Sequence, residues 1–225
     1  MNDSFMNKIK CYYILSAFIL FGCKNDVKND RQNHLKPEME IIIPKGSERA
    51  RGFFGNEVFK NNTANKLNLE GTRFLRNGEY LNAEEKFIEA LKYESDNPTI
   101  LNNLGNLTSD FGNEIKAIEF YKKAIKCSDS THFSSLYNLG LIYCETRDYN
   151  KSEEVLTYVL RNFDNKDQQS VAHIVLTNVY LNLKYCEKAK TSLNQAKSFM
   201  ESHPEFRSSL ERLQERTQIC FENSQ

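Results

Sequence analysis

The stretch that decides the fold is Pro98–Thr131, PTILNNLGNLTSDFGNEIKAIEFYKKAIKCSDST. Its apolar residues recur at steps of three or four, the period of a helix with one apolar face. The sequence Phe111-Gly112-Asn113 interrupts this pattern near the middle and is typical of a turn. The stretch therefore predicts two amphipathic helices joined by a turn, with apolar faces at Leu101, Leu104, Leu107, Ile118, Tyr121 and Ile125.

The same pattern recurs along the chain. Gly71 lies 34 residues before Gly105, and Gly140 lies 35 residues after it, whereas a fourth unit has Thr177 at this position. Glycine lets the second helix approach the first, and small residues on the second helix admit the next unit. The second helices carry small, large and small residues in register: Ala83, Phe87 and Ala90; Ala117, Tyr121 and Ala124; Ser152, Leu156 and Val159; Ala189, Leu193 and Ala196.

These positions resemble the tetratricopeptide repeat, a 34-residue helix-turn-helix. Repeat two departs from the family pattern at Thr108, where the other three units have Phe74, Tyr143 and Tyr180, and repeat four departs from it at His173. The resemblance implies an all-α, right-handed superhelical solenoid of about four repeats over residues 63–200. The repeats are expected at about 64–97, 98–131, 133–166 and 170–203.

Residues 204–225 predict a capping helix and a tail. Pro204 suits the first turn of a helix. Phe206, Leu210, Leu213 and Ile219 form its apolar face, and charged residues occupy the other face. A terminal repeat needs such a cover, with an apolar inner side and a polar exterior.

Residues 1–22 resemble a bacterial lipoprotein signal peptide. Lys8 and Lys10 precede the apolar run 11–21, which is too short to span a membrane as a stable helix. Leu20-Phe21-Gly22-Cys23 is similar to the lipobox, whose cysteine is diacylated and becomes the new N-terminus. The resemblance implies a lipid anchor such as palmitate on Cys23, and Lys24 favours the outer membrane, facing either the periplasm or the cell surface. The alternative is a secretory signal or signal anchor with an incidental Cys23.

Residues 23–62 predict a flexible tether, because most of the segment is polar and shows little periodicity. Two apolar clusters interrupt it, one at residues 41–43 and one that includes Phe54, Val58 and Phe59. The second cluster is expected to pack on the first repeat as a cap. Alternatively, residues 41–59 occupy the protein's own groove until a partner displaces them.

In the repeat family, the first helices line a concave face that is the usual peptide site. Several asparagines fall at these positions, and an amide can both donate to and accept from a peptide main chain. The row resembles the asparagine ladders of some superhelical members, although asparagine is common throughout this chain. The predicted groove residues are Asn68, Thr72, Asn102, Asn103, Asn106, Tyr137, Asn138, Leu141 and Asn178.

The sequence lacks the residues that several other functions require. Lys+Arg and Asp+Glu both number 30, and without a basic cluster nucleic acid is not an expected partner. The family's clamp for chaperone C-termini needs cations where this chain has Asn68, Ser134 and Asn138. No two histidines share a metal-ligand spacing, and no phosphate-binding loop or nucleophile motif occurs. We therefore expect no enzyme, no cofactor and no metal.

The cysteines allow one disulfide. Cys186 begins the second helix of repeat four and Cys220 ends the following helix, so the two can meet in an oxidising compartment. The alternative is that Cys127, Cys144, Cys186 and Cys220 are all free thiols. Cys127 and Cys144 lie near opposite helix ends and are not expected to pair.

Together these patterns predict a membrane-anchored scaffold of the bacterial cell envelope. It would bind a protein segment in the concave groove and help to assemble an envelope complex. The alternative is a structural subunit that forms homo-oligomers through its convex or terminal surface, with its groove filled by its own residues 41–59.

Overall fold

The computed structural model describes residues 59–223, in which every regular element is helical. The predicted signal peptide, Cys23 and the tether as far as Val58 lie outside the described residues, and so do residues 224–225. The α-helices of the described part are α1 Asn62–Arg76, α2 Tyr80–Tyr93, α3 Pro98–Asp110, α4 Glu114–Cys127, α5 Phe133–Glu145, α6 Tyr149–Asn162, α7 Lys166–Asn182, α8 Cys186–Ser202 and α9 Arg207–Glu222. A 3-10 turn, Pro204–Phe206, precedes α9.

The first eight helices form four hairpins, each closed by a turn of three residues. Within a hairpin the two helices pack on each other, and the first helix of each following hairpin packs on the hairpin before it. The last helix, α9, packs on α7 and α8. The described part of the chain is thus a helical solenoid of four repeats, and the predicted all-α fold is confirmed.

One residue with positive φ ends the first helix of every repeat. It is Gly78 (φ 74°), Gly112 (73°), Arg147 (65°) or Lys184 (63°). The residue after it donates its backbone N–H to the carbonyl five residues earlier. In repeat one Glu79 donates to Phe74 at 2.9 Å, and the same 6→1 hydrogen bond occurs in the other repeats. This geometry satisfies the last helical carbonyls and sets the hairpin angle.

The first helices share a second local signal, a capping side chain at their start. Asn61, Asn97 and Asn165 each accept hydrogen bonds from two backbone N–H groups of the following turn. In repeat three His132 takes this role, and its ring accepts from the Ser135 N–H. Since the first four N–H groups of a helix have no partner within it, these caps fix where α1, α3, α5 and α7 begin.

Close approach within each hairpin depends on glycine. A Cβ placed on Gly71 would lie 2.7 Å from Phe87 Cε1, and one on Gly140 would lie 2.7 Å from Leu156 Cδ2. Gly105 faces the ring of Tyr121 in the same way. These distances are too short for carbon atoms that are not bonded. The glycine and the large residue of the second helix therefore form one packing unit in repeats one to three.

Buried apolar side chains form three hydrophobic cores along the stack. One lies in repeat one and under α3, one lies between repeats two and three, and the largest joins repeats three and four to α9. Phe59 packs on the first of these cores. This contact agrees with the predicted cap for Phe59, whereas Phe54 and Val58 lie outside the described residues.

Candidate functional site

The predicted groove asparagines form a hydrogen-bonded row between the first helices, which we term the amide seam: Asn68, Asn102, Asn103, Asn106 and Asn138. Between α1 and α3, Asn103 Nδ2 donates to Asn68 Oδ1 at 2.8 Å. Between α3 and α5, Asn138 Nδ2 donates to Asn102 Oδ1 at 3.1 Å and to Asn106 Oδ1 at 3.0 Å. The seam thus links three consecutive repeats.

Neighbouring polar groups complete the seam between repeats two and three. Tyr121 OH donates to Asn106 Oδ1 at 2.8 Å, and Ser135 Oγ donates to Asn102 Oδ1 at 3.2 Å. The His132 ring lies 3.5 Å from Thr99 Oγ1, and burial lowers the pKa of His132 to about 4. The imidazole is therefore neutral near pH 7, as a capping acceptor must be.

The burial of the predicted groove residues determines whether a peptide can reach them. Among the predicted groove residues, Thr72 and Asn103 are half-buried, and the other seven are less than 9% exposed. Their side chains lie inside the packing between repeats, so an approaching peptide cannot reach them. The predicted peptide groove is therefore corrected at its seven buried residues: Asn68 1%, Asn102 4%, Asn106 1%, Tyr137 8%, Asn138 1%, Leu141 2% and Asn178 0%.

In repeat four the buried amide meets the C-terminal helix. Arg216 Nη1 of α9 donates to Asn178 Oδ1 at 3.1 Å. Burial lowers the pKa of Arg216, and Cys144 and Tyr149 lie near enough to affect it. Arg216 is half-buried, and its hydrogen bond ties α9 to repeat four. Arg216 is one of the charged residues on the predicted polar face of the capping helix, and its contact with Asn178 depends on how α9 crosses α7.

A second tie joins α6 of repeat three to both helices of repeat four, α7 and α8. Glu153 Oε1 accepts from Tyr180 OH at 3.0 Å and from Lys188 Nζ at 3.1 Å. Burial, with Glu153 beside it, raises the pKa of Tyr180 to about 12. Tyr180 therefore donates this hydrogen bond throughout the physiological pH range.

Cys186 and Cys220 form a disulfide, with a Cα–Cα distance of 5.6 Å. The bond ties the start of α8 to the end of α9 and closes the C-terminal end of the stack. Cys127 and Cys144 are free; Cys127 is exposed and Cys144 is buried. Burial raises the pKa of Cys144 to about 12, so its thiol stays protonated and unreactive.

One group of exposed apolar side chains lies on the turn side of repeats one and two. We term it the edge patch: Tyr80, Leu81, Phe111 and Ile115, which are 39%, 48%, 58% and 76% exposed. The rings of Tyr80 and Phe111 meet edge to face with centroids 5.0 Å apart, which joins the two repeats. Large exposed apolar side chains that cluster in this way mark interaction surfaces.

The edge patch is confined to the first two repeats. Leu81 and Ile115 occupy the second position of α2 and α4, where the later repeats have Asn150 and Glu187. Glu79, Asp110 and Glu114 are exposed next to the patch residues. The periodic pattern could have revealed this patch, since the second position of each second helix is not a core position.

Residues 59–223 hold neither a metal-binding cluster nor a membrane-spanning helix. No group of three or more His, Cys, Asp or Glu side chains in this range is placed to hold a metal ion. Within the same range, no helix combines the length and apolar character needed to cross a membrane. His173 is half-buried, its Nδ1 has no hydrogen-bond partner, and burial lowers its pKa.

Two family models described as the tetratricopeptide repeat match the chain, one at residues 98–129 and the other at residues 120–154. No curated protein matches the sequence.

Solved structures share the fold at low sequence identity. MamA from Desulfovibrio magneticus RS-1, residues 41 to the end, is 19% identical with a TM-score of 0.58 over 73% of this chain and 92% of its own. A MamA RS-1 double mutant is 18% identical with a TM-score of 0.54 over 74% and 98%. A tetratricopeptide repeat protein from Parabacteroides merdae ATCC 43184 is 22% identical with a TM-score of 0.56 over 73% and 65%. The matched family models show tetratricopeptide repeats within residues 98–154, and the solved structures, with the four hairpins in register, show the same fold over about three quarters of the chain.

Proposed function

We propose that the protein is a scaffold, anchored to a bacterial membrane through lipid on Cys23, that binds a partner protein at the edge patch and helps to assemble an envelope complex. The repeat architecture supports a protein–protein interaction role. The observation that carries the choice of surface is the edge patch, which exposes four large apolar side chains on one side of two adjacent repeats.

The amide seam is a poor candidate for the partner surface. Its asparagines are satisfied largely by one another, and a peptide that bound them would have to separate the repeats first. Asn103 is the accessible exception, because it is only half-buried. We therefore assign the spacing of the first helices to the amide seam and the binding of the partner protein to the outer surface.

The surroundings of the edge patch define the chemistry of a suitable partner. Phe111 and Ile115 offer apolar contact, and Tyr80 adds an aromatic ring with a polar end. Three exposed carboxylates border them, on Glu79, Asp110 and Glu114. A partner segment with apolar side chains flanked by Lys or Arg would complement both the patch and its rim.

Photo-crosslinking in the native cell tests this surface. A photoreactive residue replaces Ile115, and the matched control carries the same residue at Asn150, the corresponding position of repeat three. We expect one discrete protein adduct from position 115, no such adduct from position 150, and loss of the adduct when Phe111→Ser is added. Equal adducts from both positions, or an adduct that survives Phe111→Ser, would reject the edge patch.

The anchor is tested separately. The signal-like residues before Cys23 support lipid attachment, and two acyl chains suffice for stable anchoring because each buried methylene contributes about 0.8 kcal/mol. In the Cys23→Ser variant we expect no incorporation of labelled palmitate and a shift of the protein out of the lipid-anchored membrane fraction. Labelling equal to that of the wild type would contradict the anchor while leaving the edge patch untouched.

A further inference from the structure

The outer side of α1 carries an unusual row of side chains, which we term the α1 stripe: Lys66, Leu69, Arg73 and Arg76. Steps of three and four residues place them on one face of the helix. All four are exposed, and Leu69 is 58% exposed. The stripe thus presents three cations around one leucine and contains no acidic residue.

The corresponding positions of the later repeats have another role. Where α1 has Lys66, Leu69 and Arg73, these repeats have buried or half-buried residues that are apolar or belong to the polar contacts between repeats. There the same face packs against the preceding hairpin. The α1 stripe therefore corresponds to the surface through which each later repeat contacts the repeat before it. The matching residues of repeats two, three and four are Ile100, Asn103 and Leu107; Ser135, Asn138 and Ile142; and Ala172, Val175 and Val179.

The opposite end of the stack carries acidic side chains. We term this row the α9 stripe: Glu211, Glu215, Gln218 and Glu222, again at steps of four and three on one face. All four are exposed, on the side of the helix away from the core. Ile219 stands beside them and is 45% exposed. Arg207 and Arg212 lie at the margins of this face, so its centre is acidic.

We propose that the α1 stripe of one copy packs on the α9 stripe of a second copy, so that the protein associates end to end. The two stripes lie on the first and last α-helices of the described stack, and each has three charges of one sign with one exposed aliphatic side chain in it or beside it. The charges of the two stripes are opposite, and Leu69 and Ile219 supply the apolar contact. Because the two surfaces differ, each added copy presents a new free end, and the chain of copies does not close as a twofold dimer does.

Two properties of this association follow from its residues. The charges are exposed, so the association is weak and is screened by salt. It uses neither Cys23 nor the edge patch, so it can hold or fail independently of the proposed function. A membrane that concentrates the protein would favour it by mass action.

Charge reversal tests the proposal in the full chain, purified in mild detergent and followed by sedimentation velocity. The α1 variant is Lys66→Glu, Arg73→Glu and Arg76→Glu, and the α9 variant is Glu211→Lys, Glu215→Lys and Glu222→Lys. The matched control reverses three exposed lysines of α4: Lys122→Glu, Lys123→Glu and Lys126→Glu.

The wild type and the α4 control should form species larger than dimers as concentration rises at about 0.05 M salt, and dissociate at about 0.5 M salt. Each end variant alone should associate at least about tenfold more weakly. An equimolar mixture of the two end variants, and one chain carrying all six reversals, should regain association because the charges are complementary again. A variant that had merely unfolded would not be rescued in this way.

Three results would overturn the proposal. The first is a wild type that remains monomeric over the whole concentration range. The second is an end variant that associates as the wild type does, or a mixture that fails to regain association. The third is binding of phosphatidylglycerol vesicles by the Cys23→Ser chain that is lost when the α1 reversals are added, which would make the α1 stripe a lipid-docking face.

Discussion

A single amide of repeat three holds two amides of repeat two, since Asn138 Nδ2 lies 3.1 Å from Asn102 Oδ1 and 3.0 Å from Asn106 Oδ1. Asn138 is 1% exposed, and its own Oδ1 has no hydrogen-bond partner. The contact is thus a buried polar joint between repeats, formed at positions where a peptide-binding surface was predicted.

Asn138→Ala should destabilise the protein by about 1–3 kcal/mol, because Asn102 and Asn106 lose a buried donor and a small cavity remains. Chemical denaturation measures the change. Asn150→Ala, on the exposed side of α6, is the control and should alter the free energy of unfolding by less than about 0.5 kcal/mol. Equal midpoints for the two variants would show that the joint adds nothing to stability.

Gly71→Ala should cost about 1–3 kcal/mol, since the added methyl group would sit 2.7 Å from Phe87 Cε1 and force α1 and α2 apart. The substitution otherwise favours a helix, because alanine has the higher helix propensity. Thermal unfolding distinguishes the two effects. The exposed Glu85→Ala on α2 serves as a control, and a Gly71→Ala protein more stable than the wild type would refute the close approach.

Lys184→Gly should stabilise the protein by about 0.5–1 kcal/mol, because Lys184 has φ 63°, which costs an L-residue more than it costs glycine. Gly112→Ala places a side chain at φ 73° and should have the opposite sign, although no atom stands within 4 Å of the new Cβ. Denaturation midpoints of both variants provide the measurement. A shift of the same sign in both would exclude backbone conformation as the cause.

Acid should weaken the start of α5 through His132. Burial lowers the pKa of this imidazole in the folded protein to about 4, below its unfolded value of about 6.5. The unfolded chain therefore binds more protons between these values. The stabilising contribution is fully present above about pH 6.5 and is lost as pH falls toward about 4.

His132→Asn keeps a capping acceptor, as Asn97 shows at the start of α3, but does not titrate. The stability difference between wild type and His132→Asn should therefore change between about pH 6.5 and 4 and stay constant above pH 6.5. Urea melts at several pH values give this difference. A difference that does not vary with pH would contradict a neutral, buried His132.

Opening the Cys186–Cys220 disulfide should reduce stability by about 4 kcal/mol, the chain-entropy value for a loop of this length. The sequence separation is 34 residues. Hydrogen exchange of α9 should accelerate first, because α9 is the terminal element of the described stack. The double variant Cys186→Ala and Cys220→Ala should behave as the reduced protein does, whereas Cys127→Ala should leave both measurements unchanged. Unaltered exchange of α9 after reduction would count against this role.

The sequence predicted the hairpins well because the decisive signals are local. Gly71, Gly105 and Gly140 are in register, and the asparagine caps mark where helices begin. The turn of repeats three and four was harder to recognise, since Arg147 and Lys184 replace the glycine of the first two repeats.

The site was predicted poorly for a physical reason. Residue type and helical phase place Asn102 and Asn138 on the first helices, but they do not tell how deeply the next hairpin covers them. Their burial depends on the spacing between hairpins, which involves contacts about 35 residues apart. For the same reason the sequence could not predict the contact of Arg216 with Asn178, because this contact depends on how α9 crosses α7.

The contacts within a hairpin and the contacts between hairpins place different limits on how such an array can lengthen by gene duplication. Gly71 and Phe87 belong to one hairpin, so a copied hairpin keeps its internal fit wherever it is inserted. The contacts between that hairpin and its neighbours, in contrast, form only where the facing residues match. A second copy of repeat two placed behind the first would set its Asn103 against the original Asn102, which stands in the position of Asn68, and the joint of amides would form again. A copy of repeat four placed behind repeat one would bring Val175 to Asn68 and leave a buried amide without its donor.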